Sequence, residues 1–254
     1  MWYSIKSIQT PQTLDEAFLQ QQQEGSALFS GGSYLVAEKN PSIRTLIDIN
    51  GLVDNFVNAD DKAVTIQAGA TLQSFMDTVK PINPNCRLFD GARASCPSKN
   101  IRNQRTFGGE VGQNRPNSDA LVFLHAVDAD LTIYTGSERT ISIREWDGNG
   151  IVTQIAYYPK KIDSIELQRF SVLQSAPAIV IVGGIRRSGQ LEFAIGGTAH
   201  KIQTFNVMMN NWNKNSISEI AKNAVRQFIP DHFGSLAYKE SLIATAVKRL
   251  GDAL

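Results

Sequence analysis

Cysteine and histidine are scarce in this 254-residue chain, and their scarcity excludes several chemistries. Two cysteines, Cys86 and Cys96, cannot build a four-thiolate zinc or iron–sulfur site. They are also too few for the disulfide lattice of a small secreted scaffold, and we read both as reduced thiols. His125, His200 and His232 stand far apart, with no pair at helical or short-loop ligand spacing, so no histidine-rich metal site is expected. Charge of one sign is missing as well. Twenty-five basic side chains face 24 acidic ones, a formal charge of +1, and no basic run marks a phosphate-binding face, so nucleic acid is not an expected partner. No apolar run approaches the ~20 residues of a membrane span, and the N-terminus lacks the charged-then-apolar layout of a signal peptide. The expectation is a soluble, cytoplasmic protein without a membrane partner. Neither a G-x-G-x-x-G after a strand nor a Walker loop is present. Difficult chemistry, if this chain does any, must come from an organic cofactor.

What is present is a globular composition, 42% hydrophobic and 19% charged, at a length that allows one large domain or two small ones. Short strands are expected at 2–8, 27–29, 45–49 and 63–67. Thr13 and Glu16 sit three apart in capping-box fashion before a helix, with Gly25 as its stop. Thr71 caps a second helix, Leu72 to Val79, stopped by Pro81. The Pro-, Asn- and Gly-rich stretch 81–97 reads as irregular. Asp119 is placed to cap a helix through Leu124, and 131–134, 141–143 and 151–158 alternate like antiparallel strands. From about Lys161 the pattern restarts. A strand Ala178 to Ile185 turns at Arg187-Ser188-Gly189 into Leu191 to Ile195. Two helices follow, one opening at a Ser216/Glu219 capping box and one spanning about Leu236 to Leu250. The fold class is α+β, mostly antiparallel, divided near Pro159.

Two glycine pairs carry the chemical signal. Ser30-Gly31-Gly32-Ser33 follows the strand ending at Phe29, and Thr106-Phe107-Gly108-Gly109 follows Ile101-Arg102-Asn103. Each joins Gly-Gly to a small hydroxyl residue. Backbone amides plus hydroxyls form an uncharged cradle that suits a pyrophosphate, which needs many donors and close backbone approach.

These segments resemble the FAD-binding subunit or domain of the molybdenum hydroxylases, the group of xanthine dehydrogenase, carbon monoxide dehydrogenase and aldehyde oxidoreductase. The family's Ala-Gly-Gly-Thr/His-Asp/Ser-Leu is here Ser30-Gly31-Gly32-Ser33-Tyr34-Leu35. Its Ile-Arg-Asn-x-x-Thr-Ile-Gly-Gly-Asn is here Ile101 to Glu110, and its closing Ser-Pro-x-x-Asp is here Arg115-Pro116-Asn117-Ser118-Asp119. Leu46-Ile47-Asp48-Ile49 and Gly234-Ser235-Leu236-Ala237-Tyr238-Lys239 extend the likeness over nearly the whole chain. The resemblance implies a two-lobed FAD-binding domain of the vanillyl-alcohol-oxidase (PCMH) type over 1–160, with lobes of about 1–52 and 53–160. A small antiparallel sheet with helices, like the C-terminal domain of the CO dehydrogenase flavoprotein, would follow over 161–254. It implies that Phe29, Ser30, Gly31, Gly32, Ser33, Tyr34 and Leu35, with Thr106, Gly108, Gly109, Glu110 and Gln113, contact FAD, and that Asp119 accepts hydrogen bonds from a polar part of it. No side chain is assigned as acid, base or nucleophile, and no metal ligand is named. The implied partners are a molybdenum-cofactor subunit and a 2Fe–2S subunit in a hetero-oligomer, with electrons leaving through FAD to NAD+ or another acceptor.

Four departures from the family pattern bear on the flavin. Glu110 stands where an Asn commonly donates, and its carboxylate has three routes: turning outward, pairing with Arg105 or Arg115, or protonation. Tyr34 replaces a smaller polar residue, Gln168 falls roughly where a lysine is common, and the loop after Trp146 is short. Two other readings therefore stay open: a flavin-free structural subunit that keeps the fold, and a stand-alone flavin oxidoreductase. Trp2, Trp146 and Trp212 read as packing or subunit-contact residues, and Arg102 as a tie for backbone carbonyls.

Overall fold

The computed structural model describes residues 2–83, 86 and 88–254. Its first lobe is built from β1 (Ser7–Gln9), α1 (Leu14–Gln21), β2 (Ser26–Phe29), α2 (Leu35–Glu38) and β3 (Thr45–Asp48). Its strands lie in the order β1-β3-β2, all parallel, so this small sheet departs from the antiparallel rule expected elsewhere. Thr13 starts α1 as anticipated: its Oγ1 accepts the Glu16 N–H at 3.2 Å, and the Glu16 carboxylate reaches back to the Gln12 N–H at 2.7 Å. Ala17, Ile47 and Ile49 bury their apolar faces with Ile151 of the second lobe, which fixes one lobe on the other.

The second lobe runs through β4 (Val57–Ala59), β5 (Val64–Gln67), α3 (Leu72–Val79), α4 (Leu88–Ser95), α5 (Lys99–Arg102), α6 (Phe107–Gln113), α7 (Asp119–Val127), β6 (Asp130–Tyr134), β7 (Glu138–Ser142) and β8 (Ile151–Tyr157). The five strands form an antiparallel sheet in the order β4-β5-β8-β6-β7. Thr71 caps α3 in a reciprocal box with Ser74. Two expectations need correction. The stretch 81–97, of which Pro84, Asn85 and Arg87 lie outside the described residues, contains the helix α4. Leu88 and Phe89 of α4 are buried in the main core, so packing overrides the loop-like composition. The cap of α7 is Ser118, whose Oγ accepts the Leu121 N–H at 3.2 Å, while Asp119 is the first helical residue.

The C-terminal part comprises β9 (Ser164–Phe170), β10 (Val180–Arg187), β11 (Gln190–Gly197), β12 (Gln203–Met208), α8 (Lys214–Ala224) and α9 (Leu236–Ala253). Its sheet order is β12-β11-β10-β9, antiparallel throughout. The β10–β11 hairpin turns on Ser188 and Gly189, both at positive φ (51° and 75°), as a two-residue hairpin twist requires. Ile181 and Ile185 of β10 face the core shared with α7, whereas Val180 and Val182 face α8 and α9. That double burial explains why β10 is apolar without alternation. The α8 cap is Asn213 boxed with Ser216, one turn ahead of the anticipated Ser216/Glu219 pair, and α9 passes through Gly251 to Ala253. Among the described residues, no helix is long and apolar enough to cross a membrane.

His125, near the end of α7, is held neutral. Burial first, and the Arg144 guanidinium second, lower its pKa from 6.5 to about 4 against the opposing pull of Asp128. The unfolded chain therefore binds a proton at higher pH than the native one. Stability is unaffected above about pH 6.5 and falls as pH drops from there toward 4, by roughly 3 kcal/mol in all. In urea titrations at stepped pH, His125→Gln should flatten this decline. An unchanged slope would remove His125 from the account.

Candidate functional site

The first glycine pair forms the turn between β2 and α2. Gly32 has φ 65°, and a Cβ on Gly31 would overlap the Gln104 carbonyl oxygen, so only glycine lets this turn touch the segment leading to α6. Asp48 holds Asn50 through the Asn50 N–H (2.9 Å) and Nδ2 (2.8 Å), and Asn50 in turn accepts the Ser30 hydroxyl at 2.9 Å. With the turn anchored at Ser30, the backbone N–H groups of Gly31, Gly32, Ser33 and Tyr34 meet no acceptor among the described residues. Such a run of free amides beside a cavity can serve as an anion nest.

The second glycine pair behaves differently. Thr106 caps α6, its Oγ1 accepting the Gly109 N–H at 3.2 Å. Phe107 N–H donates to Ala70 O (2.9 Å) and Gly108 N–H to Ala68 O (2.8 Å), and a Cβ on Gly108 would come within 2.8 Å of the Ala68 Cβ. These amides are spent on the fold, so the expected second backbone cradle is corrected. Residues 107–113 are a helix that offers side chains, and Gly108 serves its close packing on Ala68, just beyond β5. Upstream, Arg102 does tie carbonyls, donating to Cys96 O (2.7 Å) and Pro97 O (2.9 Å), and also to Gln73 Oε1 (2.8 Å).

The two segments face each other across a cleft between the lobes. A small chamber of about 50 Å³ lies between the 30–35 turn and α6, walled by Ser30, Gly31, Gly32, Ser33, Tyr34, Leu35, Thr106, Gly109, Glu110 and Gln113 together with Leu28, Gln104 and Arg105. It adjoins a chamber of about 210 Å³, which shares Thr106, Gly109 and Gln113 and reaches Gly108, Gly112, Trp146 and Ile151. Of the sequence-derived residues, Phe29 and Asp119 line neither. The Phe29 ring packs under Gly32, and Asp119 is buried against Arg169 of β9 at 3.2 Å. Trp146, read as a packing residue, is buried and also walls the larger chamber.

Glu110 takes the pairing route. Its carboxylate bonds to Arg105 Nε, lies 3.5 Å from Arg115 Nη2 and accepts the Ser118 hydroxyl at 2.5 Å. Burial works against the Arg105 charge, but Glu110 outweighs it and the guanidinium pKa rises; for Arg115, burial prevails and the pKa is lowered. Arg115 also lies 4.0 Å above the Tyr34 ring, and the Tyr34 hydroxyl is pushed up by burial and by Glu38. Two guanidinium groups on one carboxylate leave the cluster at +1. A bare carboxylate ~4 Å from a phosphate would cost on the order of 4 kcal/mol at an effective dielectric of ~20, and this pairing removes that objection. Arg105 and Arg115 were not singled out as contacts. The signal for Arg115 was its place where the family pattern has Ser before Pro116. No group of three or more acidic, histidine or cysteine side chains able to hold a metal occurs among the described residues.

Residues 3–150 match the family model described as the FAD binding domain in molybdopterin dehydrogenase. The chain belongs to this family. FAD is thus the cofactor that membership assigns to it. As an FAD-binding domain of the molybdopterin dehydrogenase family, the chain is 26% identical over 246 residues to the uncharacterised protein YgfM of Escherichia coli K12, spanning 90% of this chain and 87% of YgfM. A chain of cyanide-inactivated Cu,Mo-CO dehydrogenase superimposes with a TM-score of 0.74, 14% identity and coverage of 98% of this chain and 97% of that one. Quinoline 2-oxidoreductase from Pseudomonas putida 86 gives 0.72, 14% and 97% of each chain. At such identities these matches speak for the fold, which is the one the sequence resemblance implied.

Proposed function

We propose that this chain is the flavin-bearing, electron-transferring subunit of a molybdenum hydroxylase-type complex. The run of four acceptor-free amides, Gly31 to Tyr34, on the inter-lobe cleft carries the reading. These amides would hold the diphosphate, helped by the Thr106 hydroxyl and the Gln113 side-chain amide, which wall both chambers. Trp146 and Ile151 give the larger chamber an apolar wall. When bound, FAD supplies the exchange of single electrons with iron–sulfur clusters and of electron pairs with an acceptor such as NAD+. Two cysteines cannot build such clusters, so this reading places them, with the molybdenum cofactor, in partner subunits. We further propose a division into 1–160 and 161–254, supported by the change of sheet between β8 and β9.

A flavin-free scaffold is the second reading, favoured by the engaged amides at the start of α6. The test of the assembly is purification of a tagged chain from its own host with metal analysis of the product. Molybdenum and iron should co-purify with it, and a chain isolated without either would overturn the assignment as a complex subunit.

A further inference from the structure

We propose that Arg115 is a positioning residue for anion binding: Glu110 and Arg115 form a compensating pair that sets the charge of the small chamber from behind its wall. The identity of the ligand rests on the flavin reading above, but the clamp itself is a statement about anions.

Three observations converge. First, one carboxylate serves two guanidinium groups. Arg105 bonds to Glu110 directly through Nε, whereas Arg115 reaches it only at 3.5 Å through one terminal nitrogen. Second, the Arg115 Nε–H is buried and meets no acceptor. A buried cationic donor left in that state is unfavourable until an anion joins it. Third, the Arg115 guanidinium sits 4.0 Å over the Tyr34 ring, and Tyr34 belongs to the turn whose amides are free. The Arg115 charge, on which both Glu110 and Glu38 act, and the unspent backbone donors therefore stand around the same chamber, the first behind Tyr34 and Glu110 and the second in its wall. Glu110, Arg115 and Tyr34 are each departures from the family pattern, and here they touch one another. A carboxylate at position 110 alone would repel a phosphate. With Arg105 and Arg115 both on it, that repulsion is lifted, and the free amides of the turn select a phosphate or diphosphate ester.

The test is titration calorimetry of the full-length chain with ADP, inorganic pyrophosphate, FAD and riboflavin. The variants are Arg115→Ser, Arg115→Lys, Glu110→Asn and the Glu110→Asn/Arg115→Ser double, with thermal melts as a fold control. Wild type should bind ADP and FAD far better than riboflavin, increasingly weakly as salt rises. Arg115→Ser should weaken ADP about tenfold, because the Glu110 carboxylate then keeps a single cationic partner, and Arg115→Lys by less. The double variant should recover most of that loss, because the carboxylate leaves with the cation. Equal ADP affinity in wild type and Arg115→Ser overturns the clamp while leaving the flavin reading intact. A double variant as weak as Arg115→Ser overturns the pairing. Wild type that binds ADP and pyrophosphate but not FAD keeps the clamp and removes the flavin, and wild type that binds none of them removes both.

Discussion

Gly31→Ala should strip FAD from the protein while leaving it folded, weakening binding on the order of a hundredfold or more. The added methyl has no space, because the Gln104 carbonyl oxygen already occupies its position. A backbone atom of the turn before α6 cannot yield as the end of a flexible side chain would. The 30–34 turn must therefore swing away, and the free amides of Gly31 to Tyr34 move with it. Losing two hydrogen bonds to a charged diphosphate forfeits about 3–6 kcal/mol of binding, which is the hundredfold or more expected. The turn is half-exposed, so the strain escapes into solvent, and the fold should lose no more than the ~1–3 kcal/mol typical of overpacking. Equilibrium dialysis against FAD beside a urea melt separates the two effects. A variant that holds FAD as tightly as wild type would show that this turn is not the diphosphate site.

Lys239→Met should produce the largest loss of stability in the C-terminal part, about 3 kcal/mol, or a fall in Tm of roughly 10 °C. Lys239 is completely buried in α9, yet its ammonium is fully employed. It donates to Thr198 Oγ1 (2.6 Å) and Ile229 O (2.5 Å) and pairs with Asp231 Oδ2 at 2.9 Å. Those contacts lock the 228–234 segment and the end of β11 onto the final helix. Methionine fills similar space but strands a carbonyl, a hydroxyl and a carboxylate that were satisfied by one cation. Burial alone would raise the Asp231 pKa; the Lys239 ammonium and the Phe233 N–H outweigh it and bring it below its ordinary value. A melt unchanged within 2 °C (about 1 kcal/mol or less) would mean that the ion cluster is energetically idle.

The parts of this fold that were legible in the chain are those where local chemistry and tertiary packing agree. Thr13 and Thr71 start helices because their hydroxyls take first-turn amides, a signal three residues long. The β10–β11 hairpin is equally local, since Ser188-Gly189 can adopt the left-handed pair that its twist needs. The misses fall where distant contacts decide. α4 sits among Pro, Asn and Gly residues that favour loops, and only burial of Leu88 and Phe89 makes it helical. β12 alternates half-buried and exposed residues at a sheet edge, with too little apolar content to announce itself. α6 is the instructive case for the site. Two adjacent glycines with a threonine read as an open phosphate turn, but carbonyls of Ala68 and Ala70, some forty residues upstream, take the amides and turn the segment into a helix. The fate of Glu110 was equally hidden. The sequence offered three routes for its carboxylate, and only the approach of Arg105, Arg115 and Ser118 in space selects one.

The most direct measurement is the visible spectrum of the purified chain, followed by identification of whatever dissolves out on denaturation. The cleft described here predicts a yellow protein that releases one FAD per chain, or a colourless apoprotein that takes up added FAD to that ratio. A colourless protein that ignores added FAD, with its melting temperature unmoved by the nucleotide, would contradict the account at its centre.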